Sequence, residues 1–260
     1  MTIRLYDNSI DSISVDLLEK SLYSCATPWY IPEMGLTTSY DPNIDDKIKK
    51  NSNIVDSVQF VHRISVYGKT GSNLHPMITG VIGKWFANHF PPGNENVISI
   101  TRIKANLMPL QNISKKDEFY NLPHIDPSFV NPKLKDHRNV VFLYYVNDSD
   151  GDTFFFGDKI GKNIEKRVSP KKGRLVVFDG NHYHASSPPQ NEKSRCVINA
   201  NILSPYEVKD LLWSLYSLRI WIFVPEKHPN PKDKVKAVGN SSKSFDMEKS
   251  KEIVFILNNN

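Results

Sequence analysis

Apolar positions change their spacing along this chain, and each change marks an element. Ile3 to Tyr6 reads as a short strand. Val15, Leu18 and Leu22 then recur at helical spacing, which predicts a helix from about Ser14 to Ser24 with one apolar face turned to a sheet. Thr27-Pro28-Trp29-Tyr30 is a turn into an extended segment, with both aromatics assigned to the core. Residues 41–56 are polar and mixed in charge, the pattern of a surface loop. Val58 to Tyr67 alternates as a strand does, with His62 inside it as a structural histidine. A second helix starts at Pro76 and carries Met77, Ile78, Val81, Ile82, Trp85 and Phe86 until Phe90-Pro91-Pro92-Gly93 stops it.

From residue 98 onward the pattern is that of strands. Ile98 to Leu107 is rich in β-branched residues and puts Arg102, Lys104 and Asn106 on one face. Asn139 to Val146, Thr153 to Phe156, Arg174 to Phe178 and Ser194 to Ile202 follow, and the polar run Asn147 to Asp152 reads as a hairpin turn joining the first two of these. That run lacks the ligand spacing and terminal glutamate of a calcium loop. Ser204-Pro205-Tyr206-Glu207 has the cap, proline and acid of a helix start, which predicts a helix to about Val224. The lysine-rich tail 225–260 offers one short strand candidate, Ile253 to Leu257.

Chemistry concentrates in two separated stretches. In Asn121 to Phe129, alternation along a strand points His124 and Asp126 the same way, so both can grip one cation. In Phe178 to Arg195, His182 and His184 also share a face, and spacing alone admits either as a third ligand. Two imidazoles and one carboxylate form a facial triad, which leaves coordination positions open for a reaction and suits Fe(II); structural zinc sites are closed. Arg195 supplies a guanidinium fork suited to a carboxylate, and Val197 and Asn199 share its face. His137 sits in a charged loop and is read as solvent-exposed.

Composition narrows the class. The chain has 260 residues, 39% hydrophobic, enough for one large core. Two cysteines, Cys25 and Cys196, form no paired motif, so no disulfide framework is indicated and a reducing, cytoplasmic compartment is expected. MTIRLYDNSIDSIS lacks the apolar core of a secretion signal, and the apolar run Leu211 to Val224 is broken by Arg219, so no membrane association is expected. The net charge of +5 draws on a basic run from Lys159 to Arg174, which reads as a solvated strand edge rather than a nucleic-acid surface.

In order and spacing, His124-Ile125-Asp126, Leu143-Tyr144-Tyr145-Val146-Asn147, Gly151-Asp152-Thr153-Phe154-Phe155-Phe156, Ser169 to Phe178, His184 and Arg195 resemble the iron(II)- and 2-oxoglutarate-dependent oxygenases, in particular their prolyl 4-hydroxylase-like branch. The resemblance covers about residues 98–203 and departs where Asp152 replaces the second of two glycines. It implies a mainly β fold with flanking helices: a double-stranded β-helix, or jelly roll, buttressed by the N-terminal helices within a domain spanning 1–205. Residues 206–260 would add a C-terminal helix and basic tail. It also implies Fe(II) on His124, Asp126 and His184, the last chosen over His182 by its Tyr-His-Ala-Ser-Ser-Pro context. For 2-oxoglutarate it implies Arg195 and Tyr145 at the far carboxylate, with Asn106 in contact if its face is inward. Tyr120, one residue further from the metal histidine than the commonest pattern, is a further contact candidate. The expected cofactors are Fe(II), 2-oxoglutarate and O2, with ascorbate as a reductant. The expected partner is a peptidyl proline or a small amino-acid-like substrate, hydroxylated as 2-oxoglutarate yields succinate and CO2. The competing readings are a non-catalytic jelly roll that keeps the metal site and a cupin-like enzyme using another metal.

Overall fold

The computed structural model describes residues 2–31, 48, 50–89, 99–113, 118–126 and 138–204, with the backbone of 222–223, 235–238 and 244–245. Helix α1, Ser12–Leu22, starts where Asp11 caps it, the Asp11 carboxylate accepting from Ser14 N at 2.9 Å. It buries Leu18 and Leu22. Helix α2, His75–His89, buries Ile78 and Trp85 on the same core. Phe90 to Gly93, His137, the predicted helix from Pro205 to about Val224 apart from residues 222–223, and Ile253 to Leu257 lie outside the described residues, as do the Phe86 side chain and residues 41–47 and 49 of the polar loop.

The strands are β1 (Arg4–Tyr6), β2 (Phe60–Val66), β3 (Lys69–Thr70), β4 (Ser99–Pro109), β5 (Arg138–Tyr145), β6 (Thr153–Phe156), β7 (Ile164–Val168), β8 (Leu175–Asp179), β9 (Tyr183–Ser186) and β10 (Ser194–Ser204). A seven-stranded sheet runs β1-β8-β5-β10-β4-β2-β3, and a three-stranded sheet runs β7-β6-β9. Every pairing in them is antiparallel.

This topology corrects one local reading. Asn147 to Asp152 is not a hairpin turn: β5 pairs with β10 and β8, whereas β6 pairs with β7 and β9, so the turn carries the chain from one sheet to the other. β8 sits in the large sheet between β1 and β5, and β9 lies beside the His-Ile-Asp segment through the bridge between His124 and His184. Such pairings are invisible to periodicity because they join residues distant in sequence.

Two apolar layers follow. On one face of the large sheet Ile103, Ala105, Phe142, Tyr144, Ile198 and Ala200 pack against both helices, with Trp85 edge-on to Phe142 at 5.0 Å. On its other face Val141, Leu143, Val176, Phe178 and Val197 meet Phe155 and Val168 of the small sheet. Two facing antiparallel sheets joined by crossing connections make a jelly roll with helices on its outer side, as the resemblance implied.

The basic run is largely paired within the molecule. Lys172 reaches Asp16 and Glu19 of α1 at 2.8 and 2.5 Å, Arg174 holds Asp7 through two bonds of 2.6 and 3.0 Å, and Arg167 pairs with Asp152. Exposed pairs of this kind contribute little to stability, and the Lys172 pairs tie α1 to the turn before β8. His62 bonds Pro28 O and Ser72 Oγ at 2.8 and 2.7 Å, the structural role its strand position suggested. Trp29 packs on the core, whereas Tyr30 is exposed.

Among the described residues no helix is long and apolar enough to cross a membrane. Past residue 204, β11 (Ile222–Phe223), β12 (Val235–Val238) and β13 (Ser244–Phe245) form a small antiparallel sheet. Ile222 and Phe223 are therefore strand where helix was predicted, an apolar pair that satisfies its backbone across strands.

Candidate active site

His124 and His184 are set side by side by the backbone. His124 N donates to His184 O at 3.0 Å and His184 N returns the bond at 2.9 Å, which brings the ring centroids to 4.5 Å. Asp126 is placed by a second pairing: its N–H donates to Gly180 O at 2.9 Å, while Asn139 Nδ2 donates to its carbonyl at 3.1 Å. Gly180 N in turn donates to Asn139 O at 2.7 Å, and a Cβ at Gly180 would collide with the Asn139 amide. Only glycine lets Asn139 approach closely enough to hold the Asp126 backbone. The ligand atoms of His124, Asp126 and His184 consequently lie within 4.8 Å of one another.

The protonation pattern suits a metal. His124 Nδ1 lies 3.1 Å from Leu122 O and His184 Nδ1 2.8 Å from His182 O. A carbonyl can only accept, so Nδ1 carries the proton on both rings and Nε2 keeps its lone pair. Burial, reinforced at His124 by the neighbouring His184, lowers both imidazoles, His124 to about 3, so both are neutral ligands at neutral pH. Burial opposes ionisation of Asp126, but His184, Arg102, Lys104 and His124 outweigh it and hold the carboxyl well below the usual range. Two neutral imidazoles and an ionised carboxylate fit an open-sided Fe(II) site.

Asp126 is also gripped from the side. Arg102 Nη2 donates to Oδ1 at 3.0 Å, and Asn199 and Asn201 Nδ2 donate to Oδ2 at 3.1 and 2.9 Å. Arg102 Nε donates to Asn201 Oδ1 at 2.8 Å, so the two strands β4 and β10 hold this carboxylate together. Asn199 was visible from its alternation with Arg195. Asn201, two residues on, has the same parity and was missed.

At the other end of β10, Arg195 is buried. Its Nε donates to Gly151 O at 2.7 Å and its Nη2 to Thr153 Oγ1 at 2.7 Å. Tyr145 OH also donates to Thr153 Oγ1 at 2.7 Å, and the Arg195 guanidinium lies 5.7 Å from the Tyr145 ring centre. With both lone pairs of Thr153 accepting, its own hydroxyl proton is free to meet an anion. Thr153 was read only as the start of a strand. At Gly151 a Cβ would come within 2.6 Å of Ser187 O and 3.0 Å of Arg195 Cδ, so this first glycine is required chiefly by the close approach of the Ser187 backbone. Asp152, in place of the second glycine, pairs with Arg167 outside the site.

The face carrying Arg102, Lys104 and Asn106 is inward. Met108 pairs with Arg195, Asn106 with Val197 and Lys104 with Asn199 across β4 and β10. Burial and the nearby Arg102 lower the Lys104 ammonium to about 8. His182 lies beside the triad with Nε2 3.3 Å from Glu165 Oε2 and does not join the cluster.

Tyr120 is elsewhere. Its hydroxyl donates to Gly161 O at 2.6 Å, and its ring packs against Phe154 and Phe156 at 5.1 and 4.8 Å, on the outer side of the small sheet. The cause is an irregularity: Asn121 bonds Ser186 while His124 bonds His184, three residues against two, so the face flips around Pro123. The expectation that Tyr120 touches the co-substrate is set aside on this geometry. Residues 53–55 pair with Tyr120 on the same outer side, so this part of the polar loop is docked there rather than over the metal ligands.

Comparison with known proteins fits this geometry. Residues 109–203 match the model of the 2OG-Fe(II) oxygenase superfamily. Over these residues the chain is similar to that superfamily. No curated protein matches the chain. Among solved structures, a 2OG-Fe(II) oxygenase family protein from Burkholderia pseudomallei shares its fold, with TM-score 0.51 and 14% identity over 79% of this chain and 86% of that one. A prolyl hydroxylase from Trichoplax adhaerens, solved with a peptide fragment of hypoxia inducible factor, aligns with TM-score 0.47 and 14% identity over 81% and 86% of the two chains. A Pseudomonas putida prolyl-4-hydroxylase aligns with TM-score 0.39 and 15% identity over 78% and 92%. The oxygenase superfamily implies Fe(II), 2-oxoglutarate and O2 as cofactor and co-substrates, and the donor set described above suits that iron.

Proposed function

We propose that this chain is a 2-oxoglutarate-dependent dioxygenase of the prolyl 4-hydroxylase-like branch, hydroxylating a C–H bond of a peptidyl proline or a small amino-acid-like substrate. The observation that carries the reading is the convergence of His124, Asp126 and His184 on the same interior that Arg195 faces from the other end of β10. Iron bound there would supply oxidative chemistry, coupling decarboxylation of 2-oxoglutarate to succinate and CO2 with C–H hydroxylation. The chain's own part is to hold and orient. His124, Asp126 and His184 hold the iron, with Asn199, Asn201 and Arg102 fixing the carboxylate. Arg195 takes the far carboxylate of 2-oxoglutarate, with the hydroxyls of Thr153 and Tyr145 at its side and Asn106 along the same inner face. Val141, Leu143, Val197, Phe155 and Phe178 keep the chamber dry, which strengthens each of these polar contacts. Residues 1–205 form the catalytic domain and 206–260 an extension to it. Ascorbate serves as reductant, and two unpaired cysteines suit a cytoplasmic setting.

The test is succinate formation from 2-oxoglutarate with Fe(II), ascorbate and air. Wild type is expected to form succinate, and His124→Ala and Asp126→Ala to form none. A wild type that binds metal and yields no succinate would favour a non-catalytic jelly roll instead.

A further inference from the structure

Within the proposed oxygenase, the inner face of β4 carries more positive charge than the cofactors can neutralise. Iron(II), Asp126, a 2-oxoglutarate dianion and Arg195 balance one another. Arg102 and Lys104 remain. Arg102 is engaged by Asp126 and Asn201, whereas Lys104 makes no hydrogen bond or ion pair with any described residue. It is partly buried, lies directly across from Asn199 and is flanked along β4 by Asn106. The side-chain oxygens of Asn106 and Asn199 are themselves buried without a partner. A cation and two orphaned amide oxygens therefore share one patch beside the metal ligands. Buried groups of this kind cost stability unless a ligand completes them.

We propose that Lys104 recognises a carboxylate on the substrate, and that the substrate is a small free acid of the amino-acid type whose N–H groups meet the Asn106 and Asn199 oxygens. This deepens the dioxygenase reading and rests on it. It selects the free acid over a proline inside a peptide, which has no carboxylate of its own at that position. Lys104 is thus a specificity residue, distinct from the Arg195 site at the far end of β10.

The experiment measures binding without turnover. Full-length protein loaded with Ni(II) is titrated calorimetrically, with and without 2-oxoglutarate, using L-proline, L-leucine and N-acetylglycine, each against its carboxamide. Wild type is expected to bind at least one acid tenfold or more tighter than its amide. Lys104→Met should bring that ratio close to one, and Lys104→Arg, which keeps the charge, should restore it in part. Acids and amides that bind alike, or that both fail to bind, overturn the proposal, as does a preference that survives in Lys104→Met. If Lys104→Met instead weakens 2-oxoglutarate tenfold while no acid is preferred, Lys104 serves the co-substrate and the proposal fails. Wild type that binds acids selectively yet binds no 2-oxoglutarate would contradict the oxygenase reading alone.

Discussion

The two faces of the large sheet are made by the same strands and do opposite work. On the outer face β4, β5 and β10 present Ile103, Ala105, Phe142, Tyr144, Ile198 and Ala200 to the helices. On the inner face β4 and β10 present Arg102, Lys104, Asn106, Arg195, Asn199 and Asn201 to the chamber. One residue of shift along a strand separates an apolar wall from a row of polar groups removed from water. An apolar wall contributes stability in proportion to its buried area. A polar wall contributes little or costs some, and its persistence makes sense where the groups hold something. The contrast assigns folding to one face and chemistry to the other, and substitutions on the two faces should separate accordingly.

The largest effect is expected at the inner face's metal end. Asp126→Ala should weaken Fe(II) or Mn(II) binding at least a hundredfold by equilibrium dialysis, because it removes the charged ligand and the carboxylate that Arg102 pairs with. Next comes the outer face: Leu22→Ala should cost about 2–5 kcal/mol in chemical denaturation, the usual range for a buried leucine, and leave metal affinity within about twofold. If Leu22→Ala disturbed metal binding as much as stability, the separation of the faces would be broken. Arg195→Met should lower 2-oxoglutarate affinity about 10- to 100-fold, as loss of hydrogen bonds to a charged group of about 1.5–3 kcal/mol implies, with metal affinity little changed. The smallest effect belongs to Asn201→Leu, which removes one of three side-chain donors to Asp126 and should weaken metal binding about tenfold.

The outer face was legible in the chain because amphipathic spacing reports a single buried side directly, as at Leu18, Leu22, Ile78 and Trp85. His124, Asp126, His184 and Arg195 were legible for another reason: short motifs put each on a strand with its parity set, and their order matched a known family. Asn201, Thr153, Asn139 and Gly180 were not, because each acts on a residue from a distant part of the chain, and that contact exists only once the register between strands is known. Tyr120 misled because it was carried over from the spacing in the family, whereas one extra residue around Pro123 turns the segment over. The supposed hairpin at Asn147 to Asp152 failed for a related reason, since a polar turn looks the same whether the chain doubles back or crosses to a second sheet.

In the proposed oxygenase, one interior holds an iron at His124, Asp126 and His184 and a diacid at Arg195. Anaerobic calorimetric titration of the Fe(II)-loaded protein with 2-oxoglutarate tests it most directly. One-to-one binding is expected, disappearing in His184→Ala when iron is lost and weakening in Arg195→Met while iron is retained. Binding of 2-oxoglutarate that is unchanged in both variants would contradict it.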